Sequence, residues 1–286
     1  MIDRSKLKKN LIKMVEVLKS EKKVPVYIQR ESSNMLEDRV ALIIGGSGGI
    51  GSAIAEAFLS NGAKVIVSSR SEKKMMSSKE QFEIKWKDRV RFIPIDIRET
   101  ERLDNYIEKA ASLFPENRID ILVNSAGIMN RNGFFEIDED EFDSIMDTNL
   151  KGVFFACKAV SKHMIKNKIR GHILNVSSAS ALRPAWTPYQ ISKWGIRGFT
   201  LGLADTLLPF GIVVNAIGPG PTATHMLDGI VSEEGNLNSI TCPAGRIATT
   251  EEIANLAVFM VSGMGDMIVG DTYYITGGSG IISLHK

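Results

Sequence analysis

Short runs of aliphatic residues alternate with longer amphipathic stretches from Arg39 to the end of the chain, and this alternation limits the possible folds most. Most runs are continuous Val, Ile and Leu, without the alternation of a half-exposed antiparallel strand, so both faces of the sheet should be covered. Alternating strands and helices predict right-handed crossovers and a doubly wound α/β fold. The predicted strands are Val40–Ile44, Lys64–Ser68, Val90–Pro94, Ile119–Val123, His172–Val176, Ile212–Ile217 and Thr272–Ile275.

The segments between these strands carry helical patterns. Together the elements predict a single domain over residues 39–286 with a mostly parallel sheet of about seven strands. The longest helical pattern should break near Asn149. The predicted helices are Ile50–Ser60, Thr100–Leu113, Glu139–Lys168, Tyr189–Leu208 and Thr250–Ser262.

Residues 1–38 differ from the rest and predict a separate N-terminal arm. Between Met1 and Lys23, eight basic residues oppose three acidic ones. We therefore predict a basic amphipathic helix ending at Pro25, which packs on its own domain or on a neighbouring subunit; a membrane surface is the alternative. The apolar stripe of this helix would be Leu7, Leu11, Met14, Val15 and Leu18.

The composition excludes several classes of function. The formal net charge of +2 is too small to indicate nucleic acid as a partner. No apolar run reaches the roughly 18 residues of a membrane span, and lysines interrupt the apolar residues at the N-terminus, so neither a span nor a signal peptide is expected. Cys157 and Cys242 lack metal-ligand spacing, so no metal is expected. We expect a soluble cytoplasmic protein with reduced thiols.

A glycine-rich turn follows the first predicted strand and opens the first predicted helix. Glycines let the backbone turn sharply and let a pyrophosphate approach the unpaired N–H groups at the positive end of a helix. The turn therefore indicates a dinucleotide-binding, Rossmann-type domain. Its candidate cofactor ligands are Gly45, Ser47, Gly48, Gly49, Ile50 and Gly51.

The same turn also satisfies G-x-S-x-G, the nucleophile elbow of serine hydrolases, which would make Ser47 a nucleophile. Such an enzyme needs an acid and then a histidine further along the chain. None of the four histidines follows an obvious acid-bearing loop, so the hydrolase stays only as an alternative. A P-loop is excluded because no Gly-Lys-Ser/Thr follows the turn.

The tip of the second predicted strand bears on the choice of cofactor. About 20 residues past the glycines, a carboxylate binds the ribose 2′-OH of NAD, whereas a basic residue accommodates the 2′-phosphate of NADP. This strand ends Val67-Ser68-Ser69-Arg70, and Glu72 comes too late to replace the missing acid. A hydroxyl and a guanidinium suit a phosphate, so Ser69 and Arg70 predict NADP, with NAD less favoured. The alternative is that Arg70 is an ordinary surface charge.

Tyr189 and Lys193 lie four residues apart at the start of a predicted helix, so they share one face. A free phenol has a pKa of about 10, which makes it a poor proton shuttle at neutral pH. A nearby ammonium group favours phenolate and should lower that pKa. The pair is therefore a candidate proton-transfer site, although Y-x-x-x-K alone often occurs by chance.

Further motifs accompany this pair, and in their order they resemble those of the short-chain dehydrogenase/reductase family from about Arg39 to Gly280. The resemblance implies an oxidoreductase that interconverts a carbonyl and a secondary alcohol by hydride transfer. Besides the glycine turn and the Tyr189–Lys193 pair, the matching segments are Asp96-Ile97, Asn124-Ser125-Ala126-Gly127, Asp147-Thr148-Asn149-Leu150, Asn175-Val176-Ser177-Ser178, residues 215–224 and Thr276-Gly277-Gly278.

The resemblance also implies a role for each matching residue. Tyr189 would be the general acid or base, and Lys193 would lower its pKa and bind the nicotinamide ribose. Ser178 would donate a hydrogen bond to the substrate oxygen, and Asn149 would hold a proton-relay water. Other cofactor contacts would come from Asp96, Ile97, Asn124, Ala126, Gly127, Pro219, Gly220, Thr222 and Thr224.

Several departures from the family pattern leave alternatives open. Ile44 and Ser125 replace a threonine and an asparagine that are usual in the family. The gap before Tyr189 is short: the strand points to Ser178 as the catalytic serine, whereas counting back from Tyr189 points towards Ser177. We expect Ser178.

The substrate and the assembly are less constrained by these motifs. Sugars, polyols, ketoacyl thioesters and steroids all fit as substrates, with the segments 181–188 and 225–245, including Trp186 and Met226, as candidate pocket and lid. Family members commonly form tetramers, so a homotetramer or a dimer is expected. The rival function is a non-catalytic NADP-binding regulatory protein, but the complete set of catalytic residues argues against it.

Overall fold

The computed structural model describes residues 34–130, 132–224 and 242–282. The predicted basic helix of the N-terminal arm lies outside these residues. Most of the predicted lid, including Met226, also lies outside them.

Seven parallel strands form one sheet in the order β3-β2-β1-β4-β5-β6-β7, which confirms the predicted doubly wound α/β fold. Four strands have the predicted bounds, and the other three differ by one or two residues at an end. The strands are β1 (Val40–Ile44), β2 (Lys64–Ser69), β3 (Val90–Pro94), β4 (Ile121–Asn124), β5 (His172–Val176), β6 (Val213–Pro219) and β7 (Thr272–Ile275).

Helices connect the strands, and the predicted break near Asn149 is a short π-helix over Asp147–Lys151. The α-helices are α1 (Gly49–Ser60), α2 (Glu72–Trp86), α3 (Leu103–Ala111), α4 (Glu139–Met146), α5 (Gly152–Lys166), α6 (Pro188–Leu207) and α7 (Thr250–Val261). Short 3₁₀ turns cover Thr100–Arg102, Ala179–Leu182 and Leu208–Phe210.

Helix α2 was not predicted. It is a polar helix that buries only Ser78 and Phe82, so it lacks the apolar stripe by which the other helices were found. Its start is marked by Ser71, whose side chain accepts a hydrogen bond from the Lys74 N–H. A cap of this kind stabilises a helix whose packing is weak.

Two separate apolar clusters cover the two faces of the sheet. Alternate residues of β1 face opposite ways, with Val40 and Leu42 in one cluster and Ala41 and Ile43 in the other. Helices α3, α5 and α6 contribute to the first cluster, and α1, α2 and α7 contribute to the second. Burial on both sides explains why the strands are continuous aliphatic runs.

The sheet order reverses at β1, because β2 and β3 lie on one side and β4 to β7 on the other. The loops after β1 and β4 meet at this point: a Cβ on Gly45, which has φ +83°, would lie 2.5 Å from the Ala126 nitrogen. Open parallel sheets bind ligands at the carboxyl ends of strands where the order reverses. A ligand site is therefore expected in this crevice.

Residues just before Arg39 already pack on the domain. Leu36 is fully buried in the cluster that contains Phe58, and its N–H donates to the Asn61 carbonyl at 2.9 Å. The packed domain thus includes at least Leu36, although the division of the whole chain into arm and domain at residue 38 stays a prediction.

Leu36→Ala should lower the free energy of unfolding by about 2–5 kcal/mol, because it leaves a cavity in the core. Urea denaturation of the full chain measures the change. Ile84→Ala is the control, because Ile84 is 89% exposed on α2 and its loss should have little effect. Equal stability of the Leu36 variant and the parent would show that residues before Arg39 do not belong to the domain.

Candidate active site

The glycine turn leaves the start of α1 open to a ligand. Gly48 is the N-cap residue, no described side chain caps the helix, and the first turn holds no acidic residue. A Cβ on Gly51 would lie 2.3 Å from the Gly45 carbonyl oxygen, so the turn closes tightly on itself. Gly48 and Gly49 are exposed, and Ser47 and Ile50 are half-buried. Exposed N–H groups at a helix start form an anion site.

The segment after β6 reaches the same turn. A Cβ on Gly49 would lie 2.7 Å from Thr224 Cγ2, which brings a predicted cofactor residue over the glycines. Gly220 donates its N–H to the Ile275 carbonyl at 2.9 Å, and the Thr222 hydroxyl donates to the Gly220 carbonyl at 2.9 Å. Pro219 ends β6. These predicted contacts thus come together at the carboxyl edge of the sheet.

The predicted adenosine end contains an acid with arginines around it. Asp96 forms an ion pair with Arg98, with Nη2 and Oδ2 at 2.7 Å. The Arg98 hydrogen bond, with further help from the charge of Arg70, lowers the pKa of Asp96 despite partial burial. Ser69 is nearly buried and its hydroxyl accepts from the Ser71 N–H at 3.2 Å, whereas Arg70 is exposed.

Arg98 was missed by the sequence analysis, although its position two residues after Asp96 was a usable signal. It adds a second exposed guanidinium to the neighbourhood of Arg70. Ile97, between Asp96 and Arg98 in the sequence, is buried and lies close to the start of α5. A Cβ on Gly152, the first residue of α5, would lie 2.7 Å from the Ile97 carbonyl oxygen.

A chain of buried amides links the ends of β4 and β5. Asn124 donates to the Asn175 side-chain oxygen at 2.9 Å, and Asn175 donates to the Thr200 hydroxyl on α6 at 3.0 Å. Asn124 also donates to the sulfur of Cys157, whose thiol pKa is raised by burial to about 12. This thiol is a packing and hydrogen-bonding group and not a nucleophile. The side-chain oxygen of Asn124 has no partner among the described residues.

Asn149 ties the π-helix to the loop after β4. Its side chain accepts from the Ile128 N–H at 2.9 Å and donates to the Ile128 carbonyl at 2.8 Å. It also donates to the Ser192 hydroxyl at 3.3 Å, which connects it to α6. The predicted contact Gly127 lies between these groups, since a Cβ there would be 3.5 Å from Asn149 Oδ1 and 3.7 Å from Lys193 Nζ.

Helix α6 begins at a fixed point, because Thr187 and Gln190 form a capping box and Pro188 occupies the first turn. This start places Tyr189 and Lys193 beside the end of β5. The Lys193 ammonium donates to the Val176 carbonyl at 2.9 Å and lies 5.6 Å from the centre of the Tyr189 ring.

The two adjacent serines after β5 have different partners. The Ser177 hydroxyl donates to the backbone carbonyl of Lys193 at 3.0 Å, so it holds the helix. The Ser178 side chain forms a hydrogen bond with Tyr189 and accepts from the Ser180 N–H at 3.1 Å.

Burial dominates the electrostatics of the Tyr189–Lys193 pair. It raises the pKa of Tyr189, although the hydrogen bond from Ser178 acts in the opposite direction. It also lowers the pKa of Lys193 to about 8. The expected lowering of the tyrosine pKa is therefore wrong for this state of the site. Desolvation penalises the charged form of each group, the phenolate of Tyr189 and the ammonium of Lys193.

Residues 39–235 match the family model for short chain dehydrogenase, which covers most of the chain. The chain belongs to the short-chain dehydrogenase family. It is therefore a member of a family of oxidoreductases that act on carbonyl and alcohol groups of small molecules.

Relatives of known name support this membership. A 3-oxoacyl-(acyl-carrier-protein) reductase of Chlamydia muridarum is 33% identical and aligns over 86% of this chain and 99% of its own. A subunit of a hydroxy(phenyl)methyl-succinyl-CoA dehydrogenase from Thauera aromatica is 31% identical, over 87% of this chain and 99% of its own. The crystal structure of a gluconate 5-dehydrogenase from Burkholderia cenocepacia, in complex with NADP and tartrate, superposes with a TM-score of 0.77 at 29% identity, over 86% of this chain and 97% of its own.

Two further findings concern the described residues alone. None of their helices combines the length and apolarity that crossing a bilayer requires. Nor do they contain a group of three or more His, Cys, Asp or Glu side chains arranged to hold a metal ion.

Burial of Lys193 makes a prediction about pH. Its folded-state pKa of about 8 lies below the ordinary value of 10.5, so burying the ammonium costs stability below pH 8, and this cost disappears as pH rises to 10.5. Without cofactor, Lys193→Met should therefore be more stable than the parent near pH 7, by up to about 3 kcal/mol, and its advantage should shrink by about pH 10.

Urea denaturation of both proteins at the two pH values measures this advantage. Lys73→Met serves as the control at each pH, because it makes the same substitution at an exposed position of α2. A Lys193 variant that is destabilised equally at both pH values would contradict a lowered lysine pKa.

Proposed function

We propose that this protein is an NADP(H)-dependent oxidoreductase that interconverts a carbonyl and a secondary alcohol, with Tyr189 as general acid and base. The observation that carries the proposal is the convergence of Ser178, Tyr189 and Lys193 at the carboxyl end of β5, on the same edge of the sheet as the glycine turn. Membership of an oxidoreductase family supports the reaction class.

The raised pKa of Tyr189 keeps its phenol protonated at neutral pH, which suits a general acid in carbonyl reduction. The bound dinucleotide would supply the hydride. Tyr189 would give its proton to the substrate oxygen while the Ser178 hydroxyl stabilises the charge that develops there. In alcohol oxidation the same phenol oxygen would accept the proton.

Lys193 and Asn149 would support this proton transfer by Tyr189. The Lys193 ammonium is held by the Val176 carbonyl beside the Tyr189 ring, and the loop at Gly127 separates it from Asn149. Because Asn149 is fixed by Ile128, it would present a constant position for a water that returns the proton to solvent. Lys193 would also bind the nicotinamide ribose.

Ser178 is the better of the two serine candidates. The Ser177 hydroxyl is already used in a buried hydrogen bond to the Lys193 carbonyl, so it is poorly placed to donate to a substrate. Ser178 forms its hydrogen bond with Tyr189, the group that must also reach the substrate oxygen. We therefore assign Ser178 to the substrate oxygen and Ser177 to holding α6.

We further propose NADP as the preferred cofactor, because the predicted adenosine end carries Ser69 and the exposed guanidinium of Arg70, with Arg98, which is paired to Asp96, as a second exposed arginine. The charge of Arg70 suits the 2′-phosphate better than the neutral hydroxyl of NAD. The NADP complex of the gluconate 5-dehydrogenase from Burkholderia cenocepacia agrees with this choice.

The geometry gives little support to a hydrolase that uses Ser47. Among the described histidines, His172 begins β5 and lies at the amino edge of the sheet, whereas Ser47 follows β1 at the carboxyl edge. His163 lies near the end of α5 and contacts Glu108, at 3.6 Å. A non-catalytic regulatory protein, the other rival, would bind NADPH without turnover.

We also propose a homodimer or homotetramer. Exposed apolar side chains lie on α5 and α6, including Phe154 at 44% exposure and Leu201 at 62% exposure. A surface of this kind is typical of a subunit contact.

Tyr189→Phe should lower turnover by a factor of about 10²–10⁴, because general acid catalysis is lost, while NADPH affinity hardly changes. Ser178→Ala should lower turnover less, also with NADPH binding kept. Turnover with a panel of carbonyl compounds and the NADPH dissociation constant are measured for each variant.

Ser177→Ala is the matched comparison, since it removes the neighbouring hydroxyl. It should change thermal stability more than the chemical step. The serine assignment would be reversed if Ser177→Ala lost more turnover than Ser178→Ala while the two variants were equally stable. Tyr189→Phe within a few-fold of the parent would place the chemistry elsewhere.

Arg70→Ala should weaken NADPH binding by about 10- to 100-fold and NADH binding hardly at all, because only the 2′-phosphate uses this charge. Fluorescence titration of both cofactors gives the constants. Arg170→Ala is the control, because this exposed arginine lies before the amino end of β5, far from the glycine turn. Equal losses for NADPH and NADH would remove Arg70 from the phosphate site.

A further inference from the structure

A recess of about 310 Å³ lies between the start of α4 and the start of α6. Ligand sites span about 300–1,000 Å³, so this recess suits a small substrate or one ring of a larger one. The lining residues are Phe134, Ile137, Asp138, Glu139, Phe142, Trp186, Pro188 and Ile191.

Aromatic and aliphatic side chains of the recess face solvent to an unusual degree. Phe134 is 63% exposed, Trp186 is 55% exposed and Ile191 is 41% exposed. Phe135 packs edge-on against Phe134, with ring centres 5.3 Å apart, which supports the Phe134 ring. Clustered exposed apolar groups mark binding sites, and ring faces favour aromatic partners.

The recess lies beside the first turn of α6, the turn that also carries the proposed catalytic tyrosine. Pro188 and Ile191 belong to the first turn of α6, on either side of Tyr189 in sequence. The Trp186 backbone N–H donates to the Gln190 side-chain oxygen at 2.9 Å, so the capping interaction of α6 also fixes this wall. A substrate carbonyl at Tyr189 would thus have its tail beside a preformed apolar surface.

The two charged side chains among the described lining residues of the recess, Asp138 and Glu139, are both acidic. None of the lining residues in the described part of the chain is basic. The buried ammonium of Lys193 is directed to the Val176 carbonyl. Like charges juxtaposed at a binding site disfavour a partner, so a substrate tail bearing a carboxylate would be repelled.

We propose that the recess receives the tail of the substrate, and that the substrate is a ketone or secondary alcohol with an uncharged, apolar and preferably aromatic substituent. This inference rests on the proposed function. It separates this chain from an enzyme for sugar acids, whose substrates carry a carboxylate and many hydroxyl groups. Two features select the tail: the rings attract an apolar group, and the carboxylates exclude an anion.

The test compares two ketones that differ only in the charge of the tail, 4′-methylacetophenone and 4-acetylbenzoate. With NADPH and the full chain, kcat/KM should be at least about tenfold higher for the methyl compound. Replacing both lining acids, Asp138→Asn with Glu139→Gln, should reduce this ratio at least about threefold. Asparagine is also a good N-cap residue, so α4 should keep its start at position 138.

Matched controls separate the recess from general effects. Glu80→Gln with Glu83→Gln removes one exposed and one half-buried acid from α2, outside the recess, and should leave the ratio unchanged. Trp186→Ala should lower kcat/KM for the methyl compound about tenfold, whereas Phe210→Ala, which removes a ring that is 50% exposed outside the recess, should not.

A ratio near one in the parent, or a ratio that the acid substitutions leave unchanged, overturns the inference. It is also overturned if neither ketone is reduced while another carbonyl compound is, and in that case the proposed function stands. If NADPH binds but no carbonyl compound is reduced and no alcohol is oxidised, the proposed function itself fails.

Discussion

Two reciprocal hydrogen bonds join the end of β5 to the first turns of α6, and the candidate active site depends on them. The Ser177 hydroxyl donates to the Lys193 carbonyl at 3.0 Å, and the Lys193 ammonium donates to the Val176 carbonyl at 2.9 Å. Since Ser178 follows the strand and Tyr189 begins the helix, both positions are set by this clamp. Asn149 adds a third support through Ser192. These buried hydrogen bonds fix the positions of the candidate site residues. A proton-transfer site requires such fixed positions, because a small displacement of the reacting groups lowers the rate.

The same clamp explains the electrostatics. Holding an ammonium group in a buried position with one carbonyl partner disfavours its charge, and the phenol beside it is disfavoured as phenolate for the same reason. Burial therefore favours the neutral phenol of Tyr189 and makes the Lys193 ammonium easier to deprotonate than an exposed one. The ionic state of the pair depends on what fills the site. A sequence argument that considers only the distance between Tyr189 and Lys193 omits this desolvation and so obtains the wrong direction for the tyrosine pKa.

Sequence patterns predicted the elements that show themselves through the burial of residues within one continuous segment. Continuous aliphatic runs located all seven strands within one or two residues, and a fault in a long helical pattern located the π-helix at Asn149. Helix α2 was not predicted because few of its residues, chiefly Phe82 and the half-buried Trp86, pack on the core. Adjacent Ser177 and Ser178 could not be separated by spacing, since their difference lies in which way each hydroxyl turns. The recess depends on contacts between segments about 50 residues apart, which no local pattern contains.

The groups proposed for proton transfer are buried, whereas the groups proposed to select the substrate are exposed. The buried amides Asn124, Asn149 and Asn175 are hydrogen-bonded to neighbouring groups, so replacing any of them leaves an unsatisfied polar group and costs stability. The recess is built from exposed side chains on the Phe134–Phe142 segment and the Trp186 loop, where substitutions usually change stability little. Under the proposed function, a chain built this way could change its substrate tail without disturbing proton transfer. The reaction class would then rest on the buried groups around Tyr189, and the exposed rings and carboxylates beside α6 would select the substrate.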